Sequence, residues 1–534
     1  MRKPLMRSAL IFLLALVIAL AGISLLSPRE RLFALTGEER WLPQLRGLVQ
    51  WAFRWTRPLP QTADHVPTTY TDHPPFGVNT FLEQEVEPEK RALALQMIAD
   101  AGFHWIRQSF PWYDIEIHGK GDFEDRRHEP HRSAWDKYDN IVALAEEHDL
   151  RIIARLEAPP AWSRHDGTAR GAFGPPDDFE DYAAYVEAVA RRYRGRIRFY
   201  QIWNEPNIYP EWGNQPVDPE GYAELLCLAY ERIRAADPDA VVISGAMAPT
   251  AELGTWNPAY EGNNLMDVIF LQRMYDAGAG ACFDIMAVNN YMLWSGPSDH
   301  RMRPTQDQVN FSRPLWVRDV MVANGDAHKP IWISEMNSNA APEHIPARFG
   351  RVTPEQQARY APLAFERIQR EWPWAGVTTV WFFKRATDAE RDQPMYYFRM
   401  VEPDFTPTPL YESLDAYLEE LTPTLYPGQH QATTWQLAYT GAWEEVATAG
   451  AILGSYHRAA PEAAVAFTWE GRRLILIPGP GAGTLRLTTE DGQQREIELH
   501  GESVTLARHL RAQPRTVTLT ALEGEVSIDA LWVK

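Results

Sequence analysis

The stretch Ile197–Asn207 reads IRFYQIWNEPN, and it joins a short apolar run to a turn that carries a carboxylate. Residues 197–203 are mostly apolar, as expected for a buried strand, and Asn and Pro are common turn residues. A strand end does not require Glu205, which stands between Asn204 and Pro206. This surplus carboxylate is therefore a candidate functional residue.

The same rhythm of apolar run, polar loop and amphipathic segment recurs along residues 75–422. The other seven apolar runs begin at Phe76, His104, Leu150, Ala240, Phe283, Pro330 and Gly376. Segments such as DFEDYAAYVEAVARRYRG lie between them and repeat apolar residues at i, i+3 and i+4, as amphipathic helices do. Eight strand–helix units predict parallel strands with crossover helices, closed into a (β/α)8 TIM barrel. A doubly wound open sheet is the alternative, but no glycine-rich phosphate loop follows the first run.

After residue 423 the pattern changes to short alternating runs bounded by turns, such as GTLRLTTEDG and RTVTLTALEG. Alternation of this kind predicts an antiparallel β-sandwich. Two domains are also expected because 534 residues exceed what one hydrophobic core usually holds. We therefore predict a barrel at 75–422 and a β-sandwich accessory domain at 428–534.

The N-terminal residues combine three basic side chains with the uncharged run Ala9–Leu26. This run is just long enough to span a bilayer, and its basic flank predicts an N-terminus inside and a body outside. A signal peptide cleaved near Ala19–Ala21 is the alternative, which would make the protein secreted. The uncleaved anchor is favoured because the apolar run continues past that site. Residues 1–27 are thus expected as an anchor or signal and residues 28–74 as a stalk and linker.

Within the stalk, the segment WLPQLRGLVQWAFRW repeats apolar residues at helical spacing. A helix there could lie on the bilayer or on the folded domain. The stretch that follows it is rich in Pro and Thr and is interpreted as a linker.

The amino-acid composition limits the classes of partner and cofactor that the protein can bind. The formal net charge of −19 argues against nucleic acid and anionic membrane surfaces, which attract basic patches, and is compatible with a neutral sugar. The two cysteines, Cys227 and Cys282, are expected to be buried thiols, with a disulfide possible but unsupported. No metal-ligand spacing is present, and we predict neither a metal nor another cofactor.

A second carboxylate, Glu335, ends the seventh run in PIWISEMNSN, and Glu205 follows the fourth. In a TIM barrel the active site lies at the C-terminal ends of the strands, so both side chains are expected at the same mouth. Two carboxyl groups there are the minimum set for glycoside hydrolysis. One must be protonated to donate to the leaving oxygen, and the other must be ionised.

The motifs WNEPN after strand 4 and ISEMNS after strand 7 resemble those of clan A glycoside hydrolases. The closest likeness is to glycoside hydrolase family 39, with family 5 next. The resemblance covers the barrel and implies that Glu205 is the acid/base and Glu335 the nucleophile. It also implies that Asn204 binds the 2-hydroxyl of the sugar.

The resemblance implies roles for other strand-end residues. Arg107, ending strand 2, resembles the clan's Arg that keeps the nucleophile ionised, and Tyr291 resembles the Tyr that hydrogen-bonds it. Many relatives have His where this chain has Asn289, which leaves a second contact with the nucleophile open. Trp381, ending strand 8, occupies the place of a sugar-stacking Trp. Trp162, in a post-strand loop, is expected either to stack on a sugar or to pack in the core.

The sequence therefore predicts a retaining glycoside hydrolase that acts on an oligosaccharide or polysaccharide outside the membrane. The alternative is a non-catalytic carbohydrate-binding or scaffold protein on the same barrel, because this fold hosts many functions. Transglycosylation would use the same two carboxyl groups. The C-terminal domain weakly resembles the jelly-roll accessory modules of carbohydrate enzymes.

Overall fold

The computed structural model describes residues 28–36, 38–53, 58–259, 261–294, 296–298 and 308–534. The predicted anchor Ala9–Leu26 lies outside these residues. Within the described ranges, no helix is both long and apolar enough to cross a membrane.

Eight parallel strands form the barrel, one from each predicted run. They are β1 (Phe76–Thr80), β2 (Trp105–Pro111), β3 (Arg151–Glu157), β4 (Phe199–Ile202), β5 (Val241–Ile243), β6 (Met286–Asn289), β7 (Ile331–Met336) and β8 (Ala375–Val380). The strand order is β5-β4-β3-β2-β1-β8-β7-β6. Isolated bridges from Ile243 to Ile285 and from Met247 to Val288 join the β5 and β6 sides, so the barrel is nearly closed. The predicted TIM-like barrel is confirmed.

A helix follows each barrel strand and packs its apolar stripe on the sheet. These helices are α3 (Pro88–Asp100), α4 (Asp136–Glu147), α5 (Phe179–Arg192), α6 (Pro219–Ala236), α7 (Asp267–Asp276), α8 (Pro314–Ala323), α9 (Pro354–Glu371) and α10 (Pro409–Glu419). In α5 the side chain of Asp178 caps the helix by accepting from the Glu180 amide. Its buried residues include Tyr182, Tyr185 and Val189, which recur at the spacing that places them on one face.

Short elements complete the barrel and its loops. They are the helical turn Trp112–Ile115, the strand pair Glu124–Asp125 and Arg132–Ser133, and the 3-10 turns Leu82–Gln84, Ala161–Ser163, Ala279–Ala281, Pro394–Phe398 and, in the C-terminal domain, Ile452–Gly454.

The barrel interior changes from apolar to polar along its axis. Trp105, Phe199 and Trp332 pack on one another near the N-terminal ends of their strands. Because side chains two residues apart on a strand share a face, Arg107 and Gln201 lie above Trp105 and Phe199. The polar upper layer is therefore supported by an aromatic floor.

Residues 58–75, interpreted from their composition as a linker, run across the N-terminal end of the barrel. Tyr70 packs edge-on against Phe199 of the aromatic floor. The carbonyl groups of Pro74 and Tyr70 accept hydrogen bonds from the indoles of Trp105 (2.9 Å) and Trp332 (3.1 Å). This segment therefore covers the floor of the barrel.

Two helices precede that segment, α1 (Pro28–Thr36) and α2 (Trp41–Phe53). The second confirms the helix expected in the stalk. Phe33 of α1 stacks on Tyr360 of α9, and the Tyr360 hydroxyl donates to Glu39 at 2.8 Å. The helical pair is thus attached to the flank of the barrel.

The C-terminal domain contains two sheets that share one core. Its strands are β9 (Thr424–Leu425), β10 (Gly428–Gln431), β11 (Ala438–Thr440), β12 (Trp443–Ala447), β13 (Ser455–Ala459), β14 (Ala464–Ile477), β15 (Gly483–Thr489), β16 (Gln494–Leu499), β17 (Val504–Gly524), β18 (Ser527–Ile528) and β19 (Ala530–Val533). Strands β12, β13 and β18 form the smaller sheet, and the other eight form the larger. All pairs are antiparallel except β9 with β14.

The long strand β14 joins two runs that the sequence separates at Gly471. A register shift between Gly471 and Arg473 lets the strand bend without ending. A Cβ atom at Gly471 would lie 2.4 Å from Val533, so glycine is needed for this close approach.

The expectation of two buried thiols is wrong, because Cys227 and Cys282 form a disulfide. Cys227 belongs to α6, and Cys282 follows the 3-10 turn Ala279–Ala281 that packs on this helix. The two residues are 55 apart in the chain and their Cα atoms are 4.8 Å apart. Packing around the barrel brings them together, which local sequence patterns do not report.

Candidate active site

Glu205 lies just beyond β4 on a backbone that departs from ordinary geometry. Trp203 and Glu205 have φ values of 73° and 41°, in the left-handed region that non-glycine residues rarely adopt. The Glu205 amide donates to the Ala246 carbonyl at 2.9 Å, and the Trp203 indole donates to the Glu211 carbonyl at 2.7 Å. Such a conformation costs about 1–3 kcal/mol and is typical of functional sites. The turn holds Glu205 at the C-terminal end of the barrel.

Glu335 is on β7 and is 3% exposed. Its Oε1 accepts a hydrogen bond from Nη1 of Arg107 at 2.9 Å, and its Oε2 accepts one from the Tyr291 hydroxyl. Each carboxylate oxygen therefore has a fixed donor. Arg107 and Tyr291, both singled out from the sequence, thus donate to the same carboxyl group.

Arg107 is held by four strand-end side chains. Besides Glu335, its guanidinium donates to Gln201 at 2.6 Å, to Asn79 at 2.8 Å and to Asn204 at 2.8 Å. Burial lowers the pKa of Arg107, with the charge of a neighbouring arginine adding to the effect. Arginine nevertheless stays protonated in proteins, so its positive charge stays beside Glu335.

Asn289 contacts the other carboxyl group. Its Nδ2 donates to Oε1 of Glu205 at 2.6 Å, although β-sheet register pairs its backbone with Glu335. The hydrogen bond of Asn289 is thus made to Glu205 and not to Glu335. The Asn289 Oδ1 has no hydrogen-bond partner among the described residues.

The two carboxyl groups have opposite electrostatic settings. Burial raises the pKa of Glu205 to about 8, and the negative charge of Glu335 contributes to the rise. Glu335 has Arg107 at 2.9 Å and Arg155 at 3.9 Å from its Oε1. The raised pKa of Glu205 favours its protonated form, whereas two guanidinium groups lie within 3.9 Å of Glu335.

Three further charged residues lie at the mouth of the barrel and were not identified from the sequence. Arg155 of β3 contacts Glu157 at 2.6 Å as well as Glu335. Glu211 lies near Glu205, and its pKa is raised well above the usual range by burial and by the charges of Glu205 and Glu157. The available signal was a polar residue inside an apolar strand, since Arg155 and Glu157 alternate along LRIIARLEAP.

Trp381 and Trp162, the two tryptophans predicted to contact a sugar, lie in different environments. Trp381 follows β8, is 6% exposed and packs edge-on against Phe81. Its indole N–H has no acceptor among the described residues. Trp162 donates to the Glu116 carbonyl at 2.8 Å and packs edge-on against Trp112. These contacts place Trp162 in an aromatic cluster in which neither Glu205 nor Glu335 takes part.

A metal site is not indicated in the part of the chain that the structure describes, where no group of three or more His, Cys, Asp or Glu side chains could hold an ion.

No protein-family model and no curated protein matches the chain. Among solved structures, a family 39 glycoside hydrolase from Bacteroides cellulosilyticus WH2 is 18% identical, with 85% of this chain and 83% of that chain covered and a TM-score of 0.49. A GH39 enzyme from Xanthomonas axonopodis pv. citri is 15% identical, with 88% and 98% covered and a TM-score of 0.45. A glucosidase from Croceicoccus marinus is 13% identical, with 88% and 98% covered and a TM-score of 0.48.

Identities and TM-scores this low do not establish an activity, which has to be argued from the site. Two of these three solved structures are family 39 enzymes.

Proposed function

We propose that the chain is a retaining glycoside hydrolase that cleaves an O-glycosidic bond of an oligosaccharide or polysaccharide. Glu205 acts as the acid/base and Glu335 as the nucleophile. The observation that supports this proposal is the pairing at one barrel mouth of Glu205, whose pKa is raised by burial and by the charge of Glu335, with Glu335, which is bound by Arg107.

In the first step, a Glu335 oxygen forms a bond to the anomeric carbon as the bond from that carbon to the leaving oxygen breaks. The proton of Glu205 passes to the leaving oxygen, so the product departs as an alcohol. Arg107 and Tyr291 hold the attacking carboxylate in one orientation. Because Asn204 accepts from Arg107 through Oδ1, its Nδ2 is left to donate to a sugar hydroxyl.

In the second step, Glu205 is a carboxylate and takes a proton from an incoming water molecule. The water oxygen bonds to the anomeric carbon, and the bond to Glu335 breaks, which restores both groups. Two displacements at the same carbon leave its configuration unchanged. A sugar hydroxyl in place of water would give transglycosylation by the same residues.

The alternative, a non-catalytic binding protein, does not explain why the carboxyl groups of Glu205 and Glu335 have such different electrostatic environments. Binding a neutral sugar does not require a Glu with a raised pKa beside an ion-paired one. The test is a panel of aryl glycosides incubated with the wild-type chain and with Glu335→Gln, with the anomer of the first product read by NMR. Release of the retained anomer by the wild type alone is expected. Sugar binding without hydrolysis on any substrate would favour the binding protein.

We also propose that the body lies outside the membrane, anchored by Ala9–Leu26. The disulfide between Cys227 and Cys282 supports export, since disulfides persist in oxidising compartments. Cell fractionation followed by N-terminal sequencing tests this proposal. A soluble product that begins near Gly22 would show a cleaved signal peptide instead.

For the C-terminal domain, we propose a jelly-roll-like accessory module. Two mainly antiparallel sheets around one core support this finer assignment.

A further inference from the structure

Helix α2 packs on α1 through a polar and a small residue. The Gln44 side chain is buried and donates from Nε2 to the carbonyl groups of Glu38 (2.9 Å) and Arg29 (3.2 Å). A Cβ atom at Gly47 would lie 2.9 Å from Cβ of Thr36, so the two helices approach closely there. The face of α2 that carries Gln44 and Gly47 is therefore the face turned to the protein.

The other side of α2 exposes large apolar side chains. Trp41 is 60% exposed, Leu42 73%, Leu45 38% and Val49 52%. At 100° per residue these four positions fall within about 100° of the helix circumference, away from Gln44 and Gly47. We call Trp41, Leu42, Leu45 and Val49 the α2 stripe. A stripe of this composition is expected to be covered by an apolar partner.

The position of the stripe in the chain indicates which partner covers it. The uncharged run Ala9–Leu26 ends two residues before α1, and α1 is only nine residues long, which is about 13 Å. The stripe begins five residues after α1 ends. A bilayer that holds Ala9–Leu26 would therefore lie within a short distance of α2.

We propose that α2 lies in the membrane interface, with the α2 stripe inserted among the lipid acyl chains. This inference rests on the proposed membrane anchor and not on the proposed glycosidase activity. A Trp at the start of the stripe suits the interface, where its apolar ring and N–H meet both environments. Exposed Arg46 lies about 40° around the helix from Leu42, at the edge of the stripe, from where its guanidinium would reach the lipid headgroups. Because the chain carries a net charge of −19, apolar insertion and not attraction to anionic lipid supplies the binding.

The contacts of Phe33 and Glu39 with the barrel connect an inserted α2 to the orientation of the barrel on the membrane. Phe33 stacks on Tyr360 of α9, and Glu39 accepts from the Tyr360 hydroxyl. Helix α9 follows β7, the strand that carries Glu335. An inserted α2 would thus hold the α9 flank of the barrel toward the bilayer and restrict its rotation about the anchor.

The test uses the full chain in neutral phosphatidylcholine vesicles, with a nitroxide label at one introduced cysteine. The native cysteines are joined in a disulfide, so they do not take the label. Leu42→Cys and Leu45→Cys report on the stripe. Val86→Cys and Leu510→Cys are matched controls, because these residues are 87% and 96% exposed and lie far from α2 in the chain.

We expect labels at 42 and 45 to collide severalfold more with dissolved oxygen than with a water-soluble nickel complex, relative to the controls. If the labels at 42 and 45 collide with the nickel complex as often as the control labels do, the proposal is overturned. Labels shielded from both reagents and broadened by a neighbouring spin would also overturn it, in favour of a second copy of the chain. If the first residues prove to be cleaved, the released product is mixed with the same vesicles and read by the same criteria.

Discussion

Nη1 of Arg107 lies 2.9 Å from Oε1 of Glu335, and the two side chains are 1% and 4% exposed. Two buried charges are expensive to remove from water, and each compensates the other only while both are present. The pair is therefore a structural element as well as part of the proposed catalytic site, and both roles can be tested.

Arg107→Met should destabilise the fold by about 3–5 kcal/mol, because it leaves Glu335 buried without its main cation. The double variant Arg107→Met/Glu335→Leu should recover most of this loss, since neither charge is then unpaired. Urea denaturation of both single variants and the double variant measures the coupling. Additive free-energy changes would contradict a direct interaction.

Glu335→Gly should reduce activity by several orders of magnitude, because no glycosyl–enzyme intermediate can form. Azide should then rescue turnover of an activated β-glycoside and give the α-glycosyl azide. Glu343→Gln is the control, since this exposed carboxylate lies in the loop after β7 and should leave turnover unchanged. A β-azide from the Gly variant would refute the nucleophile assignment.

Glu205→Ala should show a loss of activity that depends on the leaving group. Acidic phenols need little protonation and should keep much of their glycosylation rate, whereas alkyl glycosides should lose nearly all of it. Azide should give the β-glycosyl azide from a β-glycoside in this variant. The measurement is the glycosylation rate of wild type and variant over a series of aryl and alkyl leaving groups. Equal damage to good and poor leaving groups would exclude Glu205 as the proton donor.

The alkaline limb of the pH profile should follow the pKa of Glu205, about 8, because only the protonated form can donate. Activity should therefore fall as pH rises through that value. Asn289→Leu removes a hydrogen bond that favours the carboxylate, so it should raise this pKa and move the limb upward. Glu335→Gln removes a like charge and should lower the Glu205 pKa, as carboxyl-carbon NMR of the inactive variant can measure. If Asn289→Leu and Glu335→Gln shifted the pKa of Glu205 in the same direction, the described contacts would be contradicted.

Cys227→Ser/Cys282→Ser should lower the free energy of unfolding by about 4 kcal/mol, the loop-entropy value for a closed loop of 55 residues. Denaturation of the wild type with and without reductant gives the same comparison without mutation. The Ser variant should be insensitive to reductant, and activity of the folded protein should be unchanged. Equal stability with and without reductant would show that the cysteines are not paired.

Local patterns in the sequence were sufficient for the architecture. Apolar runs that alternate with helix-period segments predicted all eight barrel strands, because strand and helix periodicity depend on neighbours in the chain. The change after residue 423 likewise predicted the second, β-rich domain. Glu205 and Glu335 were identifiable because each follows or ends a buried run, and strand ends of one barrel meet at one mouth.

Other features of the site depended on tertiary packing. Arg107 and Glu335 are 228 residues apart, and Asn289 and Glu205 are 84 apart, so no local pattern reports their hydrogen bonds. The raised pKa of Glu205 likewise requires its burial and its position beside Glu335.

The sequence by itself determined that this chain builds a barrel with two carboxylates at one end, because periodicity and strand ends are local properties. Only the tertiary structure decided that Asn289 contacts Glu205, that Arg155 joins the site and that Cys227 pairs with Cys282. The physical reason is that hydrogen bonds, ion pairs and burial depend on distances across the closed barrel, which chain order does not contain.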